Sequence, residues 1–350
     1  MRTTKAAILS QINQPLEIDE LILPELKRGQ VLVKIAYSGI CHSQLNEIRG
    51  LKGEDKFLPH TLGHEGSGIV LEVGPEVQKV QASEHVVLTW IKGSGLDIPA
   101  TQYHRPNGAV VNSGAISTFM EYSVISENRL VPIPREMPLK EAALLGCAIP
   151  TGAGIVFNTI QAKAQDTIAI FGVGGIGMSA VIAAKTSGCR QIIAVDVDPY
   201  KLDFSLKIGA THVVNAAKQD PVSAIMDLTG GQGVDYAIEA AGLKETMEKA
   251  FVSISNNGGT LVIAGNLAHK EKISLDPFDF IKGKKIIGTW GGESRPDRDI
   301  PRYVELYLAG NLKIDDLITS CFCLNDINSA LEVFKSGRNV IRVLIENSLS

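Results

Sequence analysis

What the chain lacks narrows the field first. It has no basic block: 34 Lys and Arg are set against 38 Asp and Glu, for a net charge of −4, so nucleic acid is not an expected partner. Cysteine is scarce, with five scattered residues, which does not make a secreted disulfide framework and fits a reducing cytoplasm. The first ten residues carry no apolar stretch of the signal-peptide kind. The longest mostly apolar run lies at residues 167–184. It is long enough to raise a transmembrane question, but its four glycines and its fit to a strand, a turn and a helix exclude a span. No membrane partner is expected. Aromatic residues make up only 5% and hydrophobic residues 45% of 350, a length better divided between two cores than served by one.

What is present is organised around that same run. Residues 167–171 are apolar and read as a buried parallel strand. Gly172, Gly174 and Gly177 then spell Gly-x-Gly-x-x-Gly, with Gly175 and Ile176 inside the pattern, and a helical segment follows to about residue 187. The first glycine serves a tight turn, the second lets backbone approach a pyrophosphate, and the third lets helix and strand pack closely. The helix N-terminus faces the phosphates. A second apolar run, 191–195, ends at Asp196, 19 residues after Gly177. A carboxylate there can bond the adenosine ribose hydroxyls and would repel a 2′-phosphate, which favours NAD over NADP.

The first 150 residues are β-rich, with strands expected at 5–10, 16–23, 31–38, 66–73, 85–90 and 119–125, a short helix at 41–49 and another at 139–145. From about residue 151 strands and helices alternate, with strands expected at 191–196, 212–215, 234–239, 260–264 and 285–289. That alternation implies a doubly wound parallel sheet in an α/β fold. A hinge is expected at 291–294, then helices at 300–308 and 324–335 and a last strand at 340–345.

Three short segments hold possible metal ligands: Cys41 followed by His42 and Ser43, His64 followed by Glu65, and Cys147 in Gly-Cys-Ala-Ile-Pro-Thr-Gly. Two thiolates and one imidazole suit a tetrahedral Zn²⁺ with one open position. Their separations, 23 and 83 residues, carry no geometry, and a buried structural Cys or a satisfied His is the commoner origin of each residue taken singly.

Taken together, these segments resemble the zinc-dependent medium-chain alcohol dehydrogenases, of the liver-type or class III-like branch. The resemblance runs through Gly-His-Glu-Gly, the Cys147 segment with Thr151 and Gly152, the glycine turn, Asp196, Lys201, Gly-Thr-Trp-Gly-Gly at 288–292 and Asn-Val-Ile-Arg at 339–342. It implies a GroES-like β-rich catalytic domain from 1–150 and 292–350, a Rossmann NAD-binding domain from 151–291, and an active site in the cleft between them. It further implies one catalytic zinc per subunit on Cys41, His64 and Cys147, with Glu65 beside the metal as an occasional ligand. His42 would contact the cofactor pyrophosphate and Ser43 would take the alcohol proton. Thr151 would sit at the nicotinamide end, Lys201 at the adenosine ribose and Arg342 at the pyrophosphate. Homodimers through the Rossmann sheets are expected, with tetramers as the alternative.

Two positions depart from the family pattern. Gln44 stands where many relatives have an Asp supporting the ligand His; its amide oxygen is expected to accept the His N–H bond instead. Asn46 stands where some relatives carry a relay His. The four cysteines of the family's structural zinc are absent, and residues 91–118 hold no cysteine and only His104. A mobile loop held by turns is expected there, with His104 on the surface.

The expected activity is reversible oxidation of an alcohol, polyol or sugar-type hydroxyl to an aldehyde or ketone with NAD. Close to it stands a glutathione-dependent formaldehyde dehydrogenase-like enzyme. A zinc-free quinone or enoyl reductase is disfavoured by Cys41, His64 and Cys147. A non-enzymatic NAD-binding structural or regulatory protein would have no need to hold all three.

Overall fold

The computed structural model describes residues 2–348. The chain folds into two compact units. The first runs to Cys147 and takes up Arg295–Gly310 and the segment from Ile314 onward; the second is Ala148–Ser294 with Asn311–Lys313.

The first unit is β-rich. Strands Thr3–Leu9, Glu17–Ile22, Gln102–His104, Val110–Asn112 and His60–Thr61 close a small barrel. A seven-stranded sheet orders Leu130–Ile133, His85–Thr89, Glu65–Val73, Gln30–Gly39, Arg342–Glu346 and Ile318–Cys323, with Tyr122–Ser126 also on Gln30–Gly39. The C-terminal strand lies against Gln30–Gly39 with Leu344 opposite Gly39. The reason is apolar: Val343 and Ile345 share a buried cluster with Leu9, Ile40, Leu45, Phe119 and Phe334, so the chain's end completes a core begun by its first strand.

Residues 91–118 correct the expectation of a mobile loop. They supply two barrel strands, Gln102–His104 and Val110–Asn112, and Tyr103 and Val111 are fully buried. The Tyr103 hydroxyl accepts the Val124 N–H at 2.9 Å. Burying side chains of this size stabilises by about 1.5–3 kcal/mol each, which offsets part of the cost of ordering a glycine- and proline-rich stretch. Alternation was hard to read because each strand has three residues and one inward side chain. His104 is exposed.

The second unit holds six parallel strands in the order His212–Asn215, Gln191–Asp196, Thr167–Phe171, Tyr236–Glu239, Thr260–Ile263, Lys285–Gly288. This is the doubly wound 3-2-1-4-5-6 arrangement, whose ligands sit beyond the carboxyl ends of the strands. The central strand Thr167–Phe171 is buried throughout, as a strand covered on both faces must be. Three helices begin with Asp-Pro: Asp198, Asp220 and Asp276 each accept a backbone N–H as N-cap, and Pro199, Pro221 and Pro277 follow. The cap satisfies an orphan donor and the proline presets φ for the first turn.

Candidate metal centre and dinucleotide turn

In the first unit the three separated ligand segments converge. Cys41 is the N-cap of helix His42–Ile48. His64 immediately precedes strand Glu65–Val73. Cys147 sits at the break after the 3₁₀ turn Ala143–Gly146, with φ −151° and ψ −65°. One ligand atom from each lies within 4.8 Å of the others. Gly146 permits this: a Cβ there would lie 2.9 Å from the Glu65 Cα, so only glycine lets the turn press onto the strand that follows His64.

The donor set fits Zn²⁺. Two sulfurs and one imidazole leave a fourth tetrahedral position open. A hydrogen bond from Cys147, then His64 and the nearby Arg342 charge hold the Cys41 thiol well below its ordinary range, against the opposing effect of burial. A thiol so biased supplies the thiolate a metal requires. His64 Nε2 is buried and outside the trio has no hydrogen-bond partner, as expected of a nitrogen reserved for a ligand.

Three residues shape the surroundings, and one of them, Gln44, is turned otherwise than expected. Glu65 is fully buried, but its carboxylate is not among the converging atoms; Oε1 pairs with Arg342 Nη2. Arg342, only 3% exposed, is thus buried beside Glu65. Burial pushes its guanidinium down and Cys41 pulls it back up. Gly39 makes room for the pair, since a Cβ there would lie 2.8 Å from Arg342 Nη2. Gln44 is the third: its oxygen accepts the Cys41 N–H at 2.9 Å, and it is Nε2, not the oxygen, that faces His64 Nδ1.

His42 is exposed, with its ring 4.6 Å from that of Phe334. Ser43 is half-buried, and its Oγ accepts from Lys52 Nζ at 3.1 Å. Lys52 also pairs with Glu47 at 2.7 Å. Sequence reasoning did not single out Lys52; it is nine residues from Ser43 in an irregular stretch, where no periodicity marks a contact.

In the second unit the glycine turn opens helix Gly175–Thr186 directly after strand Thr167–Phe171. Gly172 has φ +86°, and a Cβ on it would lie 2.7 Å from the Ala241 nitrogen. A Cβ on Gly177 would strike the Gly172 carbonyl, whereas one on Gly174 would meet nothing within 4 Å. Two glycines are thus needed by the protein, and the third leaves open space before a helix N-terminus. Gly175 and Ile176 are half-buried at the start of that helix. Asp196 ends its strand with Oδ2 accepting from Val173 N at 2.9 Å and Oδ1 from Val197 N and Asp198 N at 2.8 and 3.0 Å. Lys201 is half-buried on helix Pro199–Ile208. Thr151, on helix Ala148–Gly154, is 7% exposed and its hydroxyl has no hydrogen-bond partner.

Glu239 was overlooked by sequence reasoning although it ends the strand beside Thr167–Phe171. It is fully buried; Ala241 N, Gly242 N and Thr246 Oγ1 all donate to Oε1. Burial nevertheless pushes its carboxyl up. Its place at a strand's carboxyl end, like that of Asp196, was the available signal.

Family models agree with both units. That for the alcohol dehydrogenase GroES-like domain matches residues 27–135, and that for zinc-binding dehydrogenases matches residues 175–309. The S-(hydroxymethyl)glutathione dehydrogenase of Synechocystis is 32% identical over 97% of this chain and 99% of its own length. The NDMA-dependent alcohol dehydrogenase of Amycolatopsis methanolica is 32% identical over 99% of both chains. The crystal structure of benzyl alcohol dehydrogenase from Acinetobacter calcoaceticus matches with TM-score 0.91 at 29% identity, covering 99% of this chain and 100% of that one. With its ligand trio in a β-rich unit and its glycine turn in a doubly wound one, the chain belongs to the zinc-dependent medium-chain alcohol dehydrogenases.

Proposed function

We propose that the protein oxidises a small-molecule alcohol to an aldehyde or ketone, and reverses that reaction, with NAD as hydride carrier. The observation that carries this reading is the convergence of Cys41, His64 and Cys147 within 4.8 Å in a chain that also holds the glycine turn ending at Asp196. Zinc held by those three residues supplies Lewis acidity that makes a hydroxyl acidic near neutral pH, and the nicotinamide supplies the hydride acceptor.

The chain's own residues do the rest. Arg342 and Glu65 form a buried charge pair beside Cys41, which keeps a positive charge near the sulfurs without offering a competing cationic ligand. Ser43 Oγ takes the proton of the substrate hydroxyl. Lys52, whose Nζ donates to that same oxygen and pairs with Glu47, holds the Ser43 oxygen in place, and the Ser43 hydroxyl proton passes to water. The Asn46 amide does not take up and release a proton near neutral pH, so water replaces a histidine relay. Asp196 receives the adenosine ribose, Lys201 neighbours it, His42 meets the pyrophosphate, and Thr151 lies at the nicotinamide end.

A second reading rests on the relative named S-(hydroxymethyl)glutathione dehydrogenase: the hydroxyl oxidised could be that of a thiol–formaldehyde adduct. The zinc-loaded protein assayed with primary and secondary alcohols, polyols and S-(hydroxymethyl)glutathione separates the two. Greater kcat/KM with NADP than with NAD would refute the role of Asp196, and full activity in metal-free protein would refute the metal centre.

Assembly as a homodimer is supported by the outer strand Lys285–Gly288, which leaves one sheet edge unpaired, and by exposed Ile281 (77%) and Trp290 (75%) nearby in sequence. A cytoplasmic place is supported by five free cysteines. Among the described residues no single helix is long and apolar enough to cross a membrane.

A further inference from the structure

Gln44 offers its neighbours one acceptor oxygen and one NH₂ group that only donates. Its side chain is 2% exposed, so water cannot make up a shortfall. The oxygen is taken: it accepts the Cys41 N–H at 2.9 Å and so caps helix His42–Ile48. The remaining NH₂ lies against His64 Nδ1. A donor there needs a lone pair on Nδ1, and a neutral imidazole with a lone pair on Nδ1 carries its proton on Nε2. Nε2 is the buried ring nitrogen with no partner outside the trio and the one left to meet a metal.

We propose that Gln44 holds His64 in the tautomer that opposes metal binding, so that this chain's metal centre is weakened by a hydrogen-bond conflict that a carboxylate at position 44 would remove. The inference rests on the reading of Cys41, His64 and Cys147 as a metal centre. For Nε2 to ligate, the proton must move to Nδ1, where it meets the Gln44 NH₂, donor against donor. Turning the amide over relieves His64 but sets the NH₂ against the Cys41 N–H, which moves the conflict to the helix cap. No orientation of an amide satisfies both neighbours with one atom apiece. A carboxylate, with an acceptor oxygen for each, serves both and fixes the ring with Nδ1 protonated and Nε2 free.

The test needs no turnover. In metal-free protein carrying ¹⁵N-histidine, long-range ¹H–¹⁵N spectra report which nitrogen of His64 bears the proton. Wild type is expected to show it on Nε2 and Gln44→Glu on Nδ1. Competition against a chromophoric chelator then gives the zinc dissociation constant, expected to fall about ten- to a hundredfold in Gln44→Glu. A wild-type spectrum with the proton on Nδ1 overturns the inference and leaves the metal centre standing, whether or not the variant folds. A variant that binds zinc more tightly while its proton stays on Nε2 also overturns it, because added charge alone would then explain the gain. Failure of both proteins to take up zinc overturns the metal centre and this inference with it.

Discussion

The two sites solve opposite electrostatic problems with opposite materials. The metal trio must hold a cation, and it does so with buried side chains: two thiols, an imidazole and an adjoining Glu65–Arg342 pair. The dinucleotide turn must hold an anion, and it does so with backbone N–H groups and the absence of side chains. The first site depends on charges that offset one another at close range in a poorly solvated place. The second depends on shape. A change of charge should therefore damage the first, whereas a single methyl group should be enough to discriminate positions in the second.

The largest effect is expected from Cys147→Ser. Loss of one sulfur leaves two good ligands, so metal content should drop from about one per subunit toward zero and most turnover should vanish, as elemental analysis and NAD reduction will show. Next comes Arg342→Leu, which strands the fully buried Glu65 carboxylate. Breaking one side of such a pair costs about 3–5 kcal/mol, to be read as a lowered denaturant midpoint. The double variant Arg342→Leu/Glu65→Leu should recover much of that loss, and failure to recover would show that the pair does more than neutralise itself.

The glycine turn gives a sharper contrast. Gly177→Ala puts a methyl group onto the Gly172 carbonyl and should lower stability by about 1–3 kcal/mol, as overpacking does. Gly174→Ala meets nothing in the protein, so its melting temperature should stay within experimental error of wild type while NAD affinity falls, measured by calorimetry. Equal thermal losses in both would refute the separation of structural from ligand-facing glycines.

The smallest effect concerns Glu239, which carries a buried carboxyl without a cation. Burial raises its folded pKa above the unfolded value of 4.5, so between those two values the folded state binds more protons than the unfolded. Its contribution is intact below about 4.5 and is lost as pH rises through the folded pKa. Glu239→Gln cannot ionise and should gain stability relative to wild type as pH rises from 5 to 8, seen as diverging melting curves. A constant difference across that range would refute the raised pKa.

These contrasts also explain which parts the sequence could reveal. The glycine turn is one contiguous stretch whose roles follow from local backbone geometry, and the parallel strands are runs buried on both faces. The metal trio joins segments 23 and 83 residues apart, so only resemblance could group them. The charge of Arg342 is visible in sequence while its burial is not; that burial comes from pairing the C-terminal strand with Gln30–Gly39. Gln44 was expected to turn its oxygen to His64 because the competing Cys41 N–H belongs to a helix cap, and caps are decided by fold-dependent backbone angles. The barrel strands around Tyr103 were too short for alternation to register.

Those two strands give the molecule a practical handle. They are joined by a tight reversal in which Arg105 N donates to the Ala109 carbonyl and Gly108 N to the Arg105 carbonyl, both near 2.9 Å. Pro106, Asn107 and Gly108 at its tip are exposed, and a Cβ on Gly108 would touch nothing. Tyr103 and Val111 anchor the hairpin from inside, so extra chain at the tip displaces no core atom. A peptide tag or a fluorescent-label site spliced between Asn107 and Gly108 should thus be carried by the folded protein, a way to immobilise or track it that keeps both chain termini native.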